Sequence, residues 1–323
     1  MSPTVSVIVS SYNYGRYVGA ALESVRRQTF ADFETIVIDD GSTDDSLRVI
    51  RRFLRDPRFR LVEQDHGGQA RAKNRGLAEA RAPYVAFLDA DDLWARTKLE
   101  KQVALLESEP GLGVICTRRK VVDADGKPRP WANRRLPRGR VVAAMFRQNF
   151  ICFSSAMLRA GVADHVGGFD ESIPLAIDYD FWLRAARHYR FGVVNEPLVA
   201  YRVGHVNLSR RQLDRLHVAR LIMERFTHHY DDPNTLPVAA RKLAEAETFV
   251  HLATIARGYS RRTAIGWLSR AICANARHLP AWREVAATMV PSPIRRILRR
   301  LRGASGAWER ACHTSFNRPE AVL

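Results

Sequence analysis

Only four of the 323 residues are cysteine, Cys116, Cys152, Cys273 and Cys312, and none of them forms a Cys-x-x-Cys pair. That argues against a structural zinc site, a dithiol redox motif and a disulfide scaffold, and it makes a reducing cytosol the natural compartment. No run approaches the roughly 18 apolar residues of a membrane span, and Met1-Ser2-Pro3 lacks the basic start and apolar stretch of a signal peptide. The expectation is a cytoplasmic chain that neither crosses a membrane nor is exported by the usual route. Also missing are a Gly-x-Gly-x-x-Gly after the first apolar run and a phosphate-loop Gly-Lys-Ser/Thr, so NAD chemistry and ATP hydrolysis are disfavoured.

What is present is the composition of a folded protein: 46% hydrophobic and 26% charged residues, in a length that allows one large domain or two ordinary ones. The net charge of +17 is unevenly placed. From Tyr201 onward 21 Lys and Arg face 9 Asp and Glu, whereas the first 200 residues hold 30 and 25. The basic tail attracts phosphates, nucleic acid or anionic lipid alike.

The first half alternates short β-branched runs with amphipathic stretches. Val5–Ser10, Phe33–Asp39, Arg60–Glu63 and Tyr84–Leu88 read as strands, and segments from Tyr17 to Gln28, through Leu47, Ile50 and Phe53, and after Gly67-Gly68 read as helices. This is α/β patterning with a mixed, mainly parallel sheet, in which ligands bind beyond the carboxyl ends of the strands. Residues 111–201 mix strand and helix, with Phe181–His188 the clearest helix. From about Gln212 the pattern is helical, and Ala244–Gly258 with Ala264–Ala276 reads as an antiparallel pair followed by Pro280.

Polar clusters leave three strands: Ser10-Ser11-Tyr12-Asn13, Asp39-Asp40-Gly41-Ser42 and Asp89-Ala90-Asp91-Asp92. The second also reads as a turn and helix cap. In the third, three carboxylates within four residues repel one another unless a cation sits among them, and a divalent ion is the simplest one. Hard oxygen donors suit Mg²⁺ or Mn²⁺. Gly67-Gly68-Gln69-Ala70-Arg71-Ala72-Lys73-Asn74 opens a helix whose Arg71 and Asn74 face either solvent or the anion beside that metal.

Together, Val5 to Asn13, Gln28-Thr29-Phe30, Ile38 to Asp44 and Phe87 to Trp94, in this order and spacing, resemble the family 2 glycosyltransferases of GT-A fold over about residues 3–205. The resemblance implies inverting transfer of a sugar from a nucleotide-sugar donor, UDP- or dTDP-linked, to a saccharide or lipid-linked saccharide acceptor in surface polysaccharide synthesis. By position, Ser11, Tyr12 and Asn13 line the nucleotide; Tyr12 stacks on the base, Asp40 contacts its ring nitrogen, and Arg71 and Asn74 lie by base, ribose or diphosphate. Asp89, Ala90 and Asp91 form the Asp-x-Asp segment on ribose and metal, with Asp92 a rival ligand. Asp178, in Asp178-Tyr179-Asp180-Phe181-Trp182, is the carried-over base, with a helix cap as its plainer reading, and Ile177 stands where relatives often carry Glu. His205 is similar to the family's late metal-side histidine, displaced by one residue.

The expected organisation is a GT-A domain over 1–205, with a nucleotide half of about 1–110 and an acceptor half of about 111–205, then a basic helical extension over 206–323. Gln212-Leu213-Asp214-Arg215-Leu216 lacks the Trp of the processive synthases' Gln-x-x-Arg-Trp, which favours single addition. In residues 294–302 Ile294, Ile297, Leu298 and Leu301 face arginines. That stretch reads as a helix packed on the domain, an anchor at the inner, anionic membrane surface, or a nucleic-acid patch. The rivals are a sugar-phosphate nucleotidyltransferase, which needs a glycine-rich Arg/Lys loop after the first strand, and a nucleic-acid-binding protein. No aromatic-interleaved basic strand supports the latter, and no nucleic acid is expected.

Overall fold

The computed structural model describes residues 2–131, 135–204, 212–230 and 232–289. Two compact units emerge: Met1–Val142 with Phe150–Arg211, and Ala143–Asn149 with Gln212–Leu323. Residues 143–149 therefore fall with the helical unit, which no local pattern in the chain signals.

In the first unit the elements run β1 (Val5–Ser11), α1 (Val18–Arg26), β2 (Phe33–Asp39), α2 (Ser46–Ile50), β3 (Phe59–Glu63), α3 (Gln69–Glu79) and β4 (Tyr84–Asp89). There follow β5 (Leu93–Trp94), α4 (Lys98–Ser108), β6 (Leu112–Val122), β7 (Pro128–Arg129) and α5 (Val142–Arg147), which passes into the other unit. Then come β8 (Met157–Arg159), α6 (Ala160–Val166), α7 (Ile177–His188) and β9 (Arg190–Arg202). The sheet order is β3-β2-β1-β4-β8-β6-β9-β5, with β7 on β6. Strands β1 to β4 pair in parallel, β8 is antiparallel to both β4 and β6, and β6 runs parallel to β9. The sheet is thus mixed and mainly parallel, as the patterning requires.

Both faces of the parallel part are covered, which is why its strands read as apolar runs rather than alternating ones. Val5, Val7 and Val9 join Ala21, Leu22, Leu99 and Val103 in one core, while Ile36 and Ile38 meet Ala72 of α3 on the other face. Gly76 lets α3 lie close on β1: a β-carbon there would stand 2.3 Å from Ile8 Cγ2. The thiols of Cys116 and Cys152 are buried and unpaired. Burial pushes both up, Cys116 to about 12, which leaves them protonated and inert.

The second unit contains α8 (Gln212–His229), α9 (Val238–Ala256), α10 (Arg261–Ala274) and α11 (Leu279–Met289). Helices α9 and α10 pack through Val250, Ala253, Leu268 and Ala271, with Ala281 of α11 completing the cluster. Pro280 lies in the first turn of α11, where a missing N–H costs nothing. Among the described residues no helix is long and apolar enough to cross a membrane.

Gly76→Ala tests the close approach of α3 and β1. The methyl gains about 0.5–1 kcal/mol of helix preference and loses about 1–3 kcal/mol by overpacking against Ile8. A lower denaturation midpoint is expected, and a variant more stable than the parent would refute the tight contact.

Candidate active site

Parallel pairing puts the polar clusters side by side. Ser11 on β1 is register partner to Asp39 on β2, and Ser10 to Asp89 on β4. Residues separated by up to 79 positions in the chain thus share one edge of the sheet. Two buried oxygens there, Ser11 Oγ and Asp39 Oδ2, have no hydrogen-bond partner among the described residues. Buried polar atoms are rarely left so, and this edge is where a ligand would satisfy them.

The loops after β1 and β2 brace each other. Asn13 adopts the left-handed backbone conformation, φ 57°; its N–H donates to Ser42 Oγ, and its Oδ1 accepts from the Thr43 N–H at 2.8 Å. Tyr14 N donates to Ser46 Oγ, and Gly15 N to Asp44 Oδ2. The side-chain carbonyl of Asn13, expected on the nucleotide, is therefore bound to the neighbouring loop, while Tyr12 stands exposed beside it. Asp40 is buried and accepts from Gln64 Nε2 at 2.7 Å and from the N–H groups of Gly67 and Gly68 at 2.9 Å each.

The acidic turn resolves three similar carboxylates into three environments. Asp89, a third exposed at its side chain, pairs with Lys73 Nζ at 3.1 Å. Ala90 turns into the core. Asp91 is 8% exposed and Asp92 is fully enclosed. The Asp92 carboxylate accepts from Ser154 Oγ at 2.6 Å and from the Arg202 N–H at 2.9 Å. Burial, reinforced by the charges of Asp91 and Asp89, raises its pKa well above the carboxylate range. Asp92 thus ties the turn to Ser154 and to the main chain of β9.

Two cations that sequence reasoning passed over stand behind this turn. Lys73, buried on α3, bridges Asp89 and Ser10 Oγ and lies 4.4 Å from the centre of the Phe153 ring. Arg202, buried at the end of β9, donates from Nε to the Asp91 carbonyl and from Nη1 to the Asp123 and Ala124 carbonyls. Part of the positive charge that the acidic cluster demands is therefore built into the chain. The one signal for Lys73 was its place one helical turn before Gly76, on the face that meets the sheet. Tyr14, half-buried, also belongs to the site, for its phenol is pushed up by burial and then by Asp91, Asp89 and Asp92.

The other anticipated residues fall on two sides. Arg71 is exposed and folds back over Gly67, where a β-carbon would meet its Cδ at 2.3 Å. Asn74 faces the segment before α7: its Nδ2 donates to the Phe169 carbonyl and to Glu171, and its Oδ1 accepts from the Phe169 N–H. Its amide is thus taken up by a clamp on the segment before α7. Helix α7 starts four residues earlier than the aromatic run suggested, after Ala176 at φ 55°. Asp178 consequently lies half-buried in the first turn, and the cap position belongs to Ala176. Asp180 pairs with Arg184, whose guanidinium also reaches the Val166 and Gly168 carbonyls. Phe181 and Trp182 pack with Phe169, Phe153 and Phe87, and Phe87 stands two positions before Asp89. His205 and residues 294–302 lie outside the described residues.

Asp89 and Asp91 suit a hard divalent ion that takes one or two carboxylates and completes its shell with water and phosphate. Among the described residues no three His, Cys, Asp or Glu groups enclose an ion. The donor set fits a metal shared with a bound diphosphate.

A mixed sheet with an acidic turn at its parallel strand ends is the architecture of the GT-A glycosyltransferases. The mannosyltransferase PcManGT from Pyrobaculum calidifontis, solved in complex with GDP-Man and Mn²⁺, superposes with TM-score 0.64 at 22% identity over 91% of this chain and 83% of that one. S. aureus TarS 1-349, in complex with UDP-GlcNAc, superposes with TM-score 0.62 at 21% identity over 84% and 81%. Residues 6–167 match the family described as "Glycosyl transferase family 2", and the chain belongs to that family; it is a glycosyltransferase. The chondroitin synthase of Escherichia coli is 31% identical over 219 residues, which are 66% of this chain and 31% of that protein. The chain thus spans about a third of that relative's length. Membership leaves the nucleotidyltransferase and nucleic-acid readings without support.

Asp92 generates a testable contrast. Asp92→Ala leaves the Ser154 O–H and the Arg202 N–H buried without their acceptor, at about 1–3 kcal/mol each, whereas Asp92→Asn keeps an acceptor and removes a repelled charge. Asp92 binds its proton more tightly in the folded than in the unfolded chain. Its contribution is fully present below about pH 4 and is lost as pH rises through the raised folded value. The parent's melting temperature should therefore fall more steeply with rising pH than that of Asp92→Asn; equal slopes would show that Asp92 titrates normally.

Proposed function

We propose that this glycosyltransferase moves a sugar, with inversion and one addition at a time, from a UDP- or dTDP-sugar to a hydroxyl of a saccharide or lipid-linked saccharide. The observation that carries the reading is the convergence of Ser11, Asp39 and the Asp89–Asp91 turn at three register-matched strand ends, with orphaned oxygens at that edge. The neighbours solved with UDP-GlcNAc and with GDP-Man and Mn²⁺ support a nucleotide-sugar donor and a divalent ion.

In this reading Tyr12 carries the base and the Asp40 carboxylate accepts from its ring N–H. Asp89 and Asp91 hold Mg²⁺ or Mn²⁺, which when bound neutralises the leaving diphosphate. Lys73 holds Asp89 in place through their ion pair, and Arg71, which lies over Gly67, meets the donor's phosphates. Asn74 holds the acceptor-side loop to α3, and His205 remains a proposed metal-side group. On the opposite face of the sugar Asp178 takes the proton of the acceptor hydroxyl as it attacks the anomeric carbon. Surface polysaccharide synthesis, a cytoplasmic location and contact of residues 294–302 with the anionic inner membrane surface complete the proposal.

A donor-hydrolysis screen over UDP-, GDP- and dTDP-sugars with Mn²⁺ tests the class; no hydrolysis of any would remove it. Asp91→Asn should abolish metal-dependent UDP binding, with Asp92→Asn retaining it. Asp178→Asn should keep donor affinity within a few-fold and lower transfer by roughly 10²–10⁴; loss of donor binding instead would make Asp178 structural. Removing residues from Pro291 onward should abolish sedimentation with anionic liposomes while donor hydrolysis persists, and unchanged sedimentation would eliminate the membrane contact.

A further inference from the structure

The loop between β3 and α3, Gln64-Asp65-His66-Gly67-Gly68, wraps the Asp40 carboxylate. Besides the three donors already described, His66 Nδ1 lies 2.9 Å from Asp40 Oδ2 and 3.2 Å from the Asp40 carbonyl. Two acceptors face that nitrogen, so it carries the proton. The same imidazole stacks on Tyr12, with ring centroids 3.8 Å apart and planes 18° from parallel. Gly41, at φ 77°, lets the His66 main chain come close, since a β-carbon there would stand 2.9 Å from the His66 backbone nitrogen.

His66 therefore makes, inside the chain, two contacts that the proposed reading assigns to the donor's base: an aromatic face on Tyr12 and a ring N–H to Asp40. A spacing of 3.8 Å leaves no room for a third ring between them. The four donors on Asp40 already match the lone-pair sites of its two oxygens. Something must leave before a base can enter. Gln64 continues the β3 pairing through its N–H to the Asp39 carbonyl, and the Gly67 and Gly68 donors are backbone at the start of α3. His66 is the donor whose side chain is half exposed, at 52%.

We propose that His66 is a stand-in for the nucleobase: its imidazole occupies the base seat in the free enzyme and vacates it when the donor binds. The proposal rests on the nucleotide-sugar reading and adds a selection rule to it. Uracil, thymine and guanine offer a ring N–H to replace that of His66, whereas adenine and cytosine present an acceptor at the corresponding edge. His66 thus weakens binding of every nucleotide, least for bases that restore both lost contacts.

The test uses the full chain with Mg²⁺ and two probes, UDP and inorganic diphosphate, the second having no base. His66→Ala should bind UDP up to about ten-fold tighter than the parent, a lost stack and hydrogen bond being worth roughly that much, and should bind diphosphate equally. In the parent, the His66 ring-proton resonances, identified by their loss in the variant and shielded by Tyr12, should move downfield with UDP and stay in place with diphosphate. Weaker or unchanged UDP binding by the variant, or resonances that stay shielded with UDP, would overturn the stand-in while leaving the nucleotide reading intact. Failure of both proteins to bind UDP while they bind diphosphate would overturn both.

Discussion

Three carboxylates within four residues at the end of β4 must be held together in a largely buried turn, and the arrangement of the first unit follows from how that is done. Like charges this close cannot all be ionised without compensation. Lys73 comes from α3 to Asp89, and Arg202 comes from β9 to the Asp91 carbonyl. Asp92 is tied instead to Ser154 and to the Arg202 main chain, and burial drives it toward its neutral form. Each of the three acids is thus treated differently. The turn also ties together elements that are far apart in sequence, since the Asp92–Arg202 bond spans 110 residues.

Around that turn, polar groups that a motif would assign to substrate are largely occupied by the protein itself. Asn13 braces two loops, Asn74 holds the segment before α7, and Asp40 gathers four donors from one loop. Pre-paired groups cost little to hold in place and keep neighbouring main chain fixed, which is how a site built on loops acquires the rigidity of one built on strands. The aromatic packing of Phe87, Phe153, Phe169, Phe181 and Trp182 fixes the start of α7 over β4 in the same way. Left-handed backbone at Asn13 and Ala176, the two non-glycine residues with positive φ among those described, falls at the entrances to these two regions. Such strain persists where the surroundings over-determine it.

Much was legible in the chain before any coordinates. The β-branched runs of β1, β2 and β4 announced themselves because both of their faces are covered, and the motifs after them gave family and fold. Short strands such as β5, β7 and β8 carried no periodicity to read, and α5 could not be assigned to the helical unit from six residues. The start of α7 was placed late because Ile177-Asp178-Tyr179-Asp180 has mixed helical preference, and its helicity comes from packing.

The sequence by itself determined the order of strands and helices, the acidic and glycine-bearing strand ends, and membership of glycosyltransferase family 2. Those are local patterns, fixed by period, turn chemistry and motif spacing. Only the tertiary structure decided how the exposure and pairing of Asp89, Asp91 and Asp92 differ, that Lys73 and Arg202 supply the charge beside them, and that His66 lies on Tyr12. Burial and pairing are set by residues tens of positions away, so three aspartates that look alike in a string differ once a lysine, a serine and a main-chain N–H arrive from other elements.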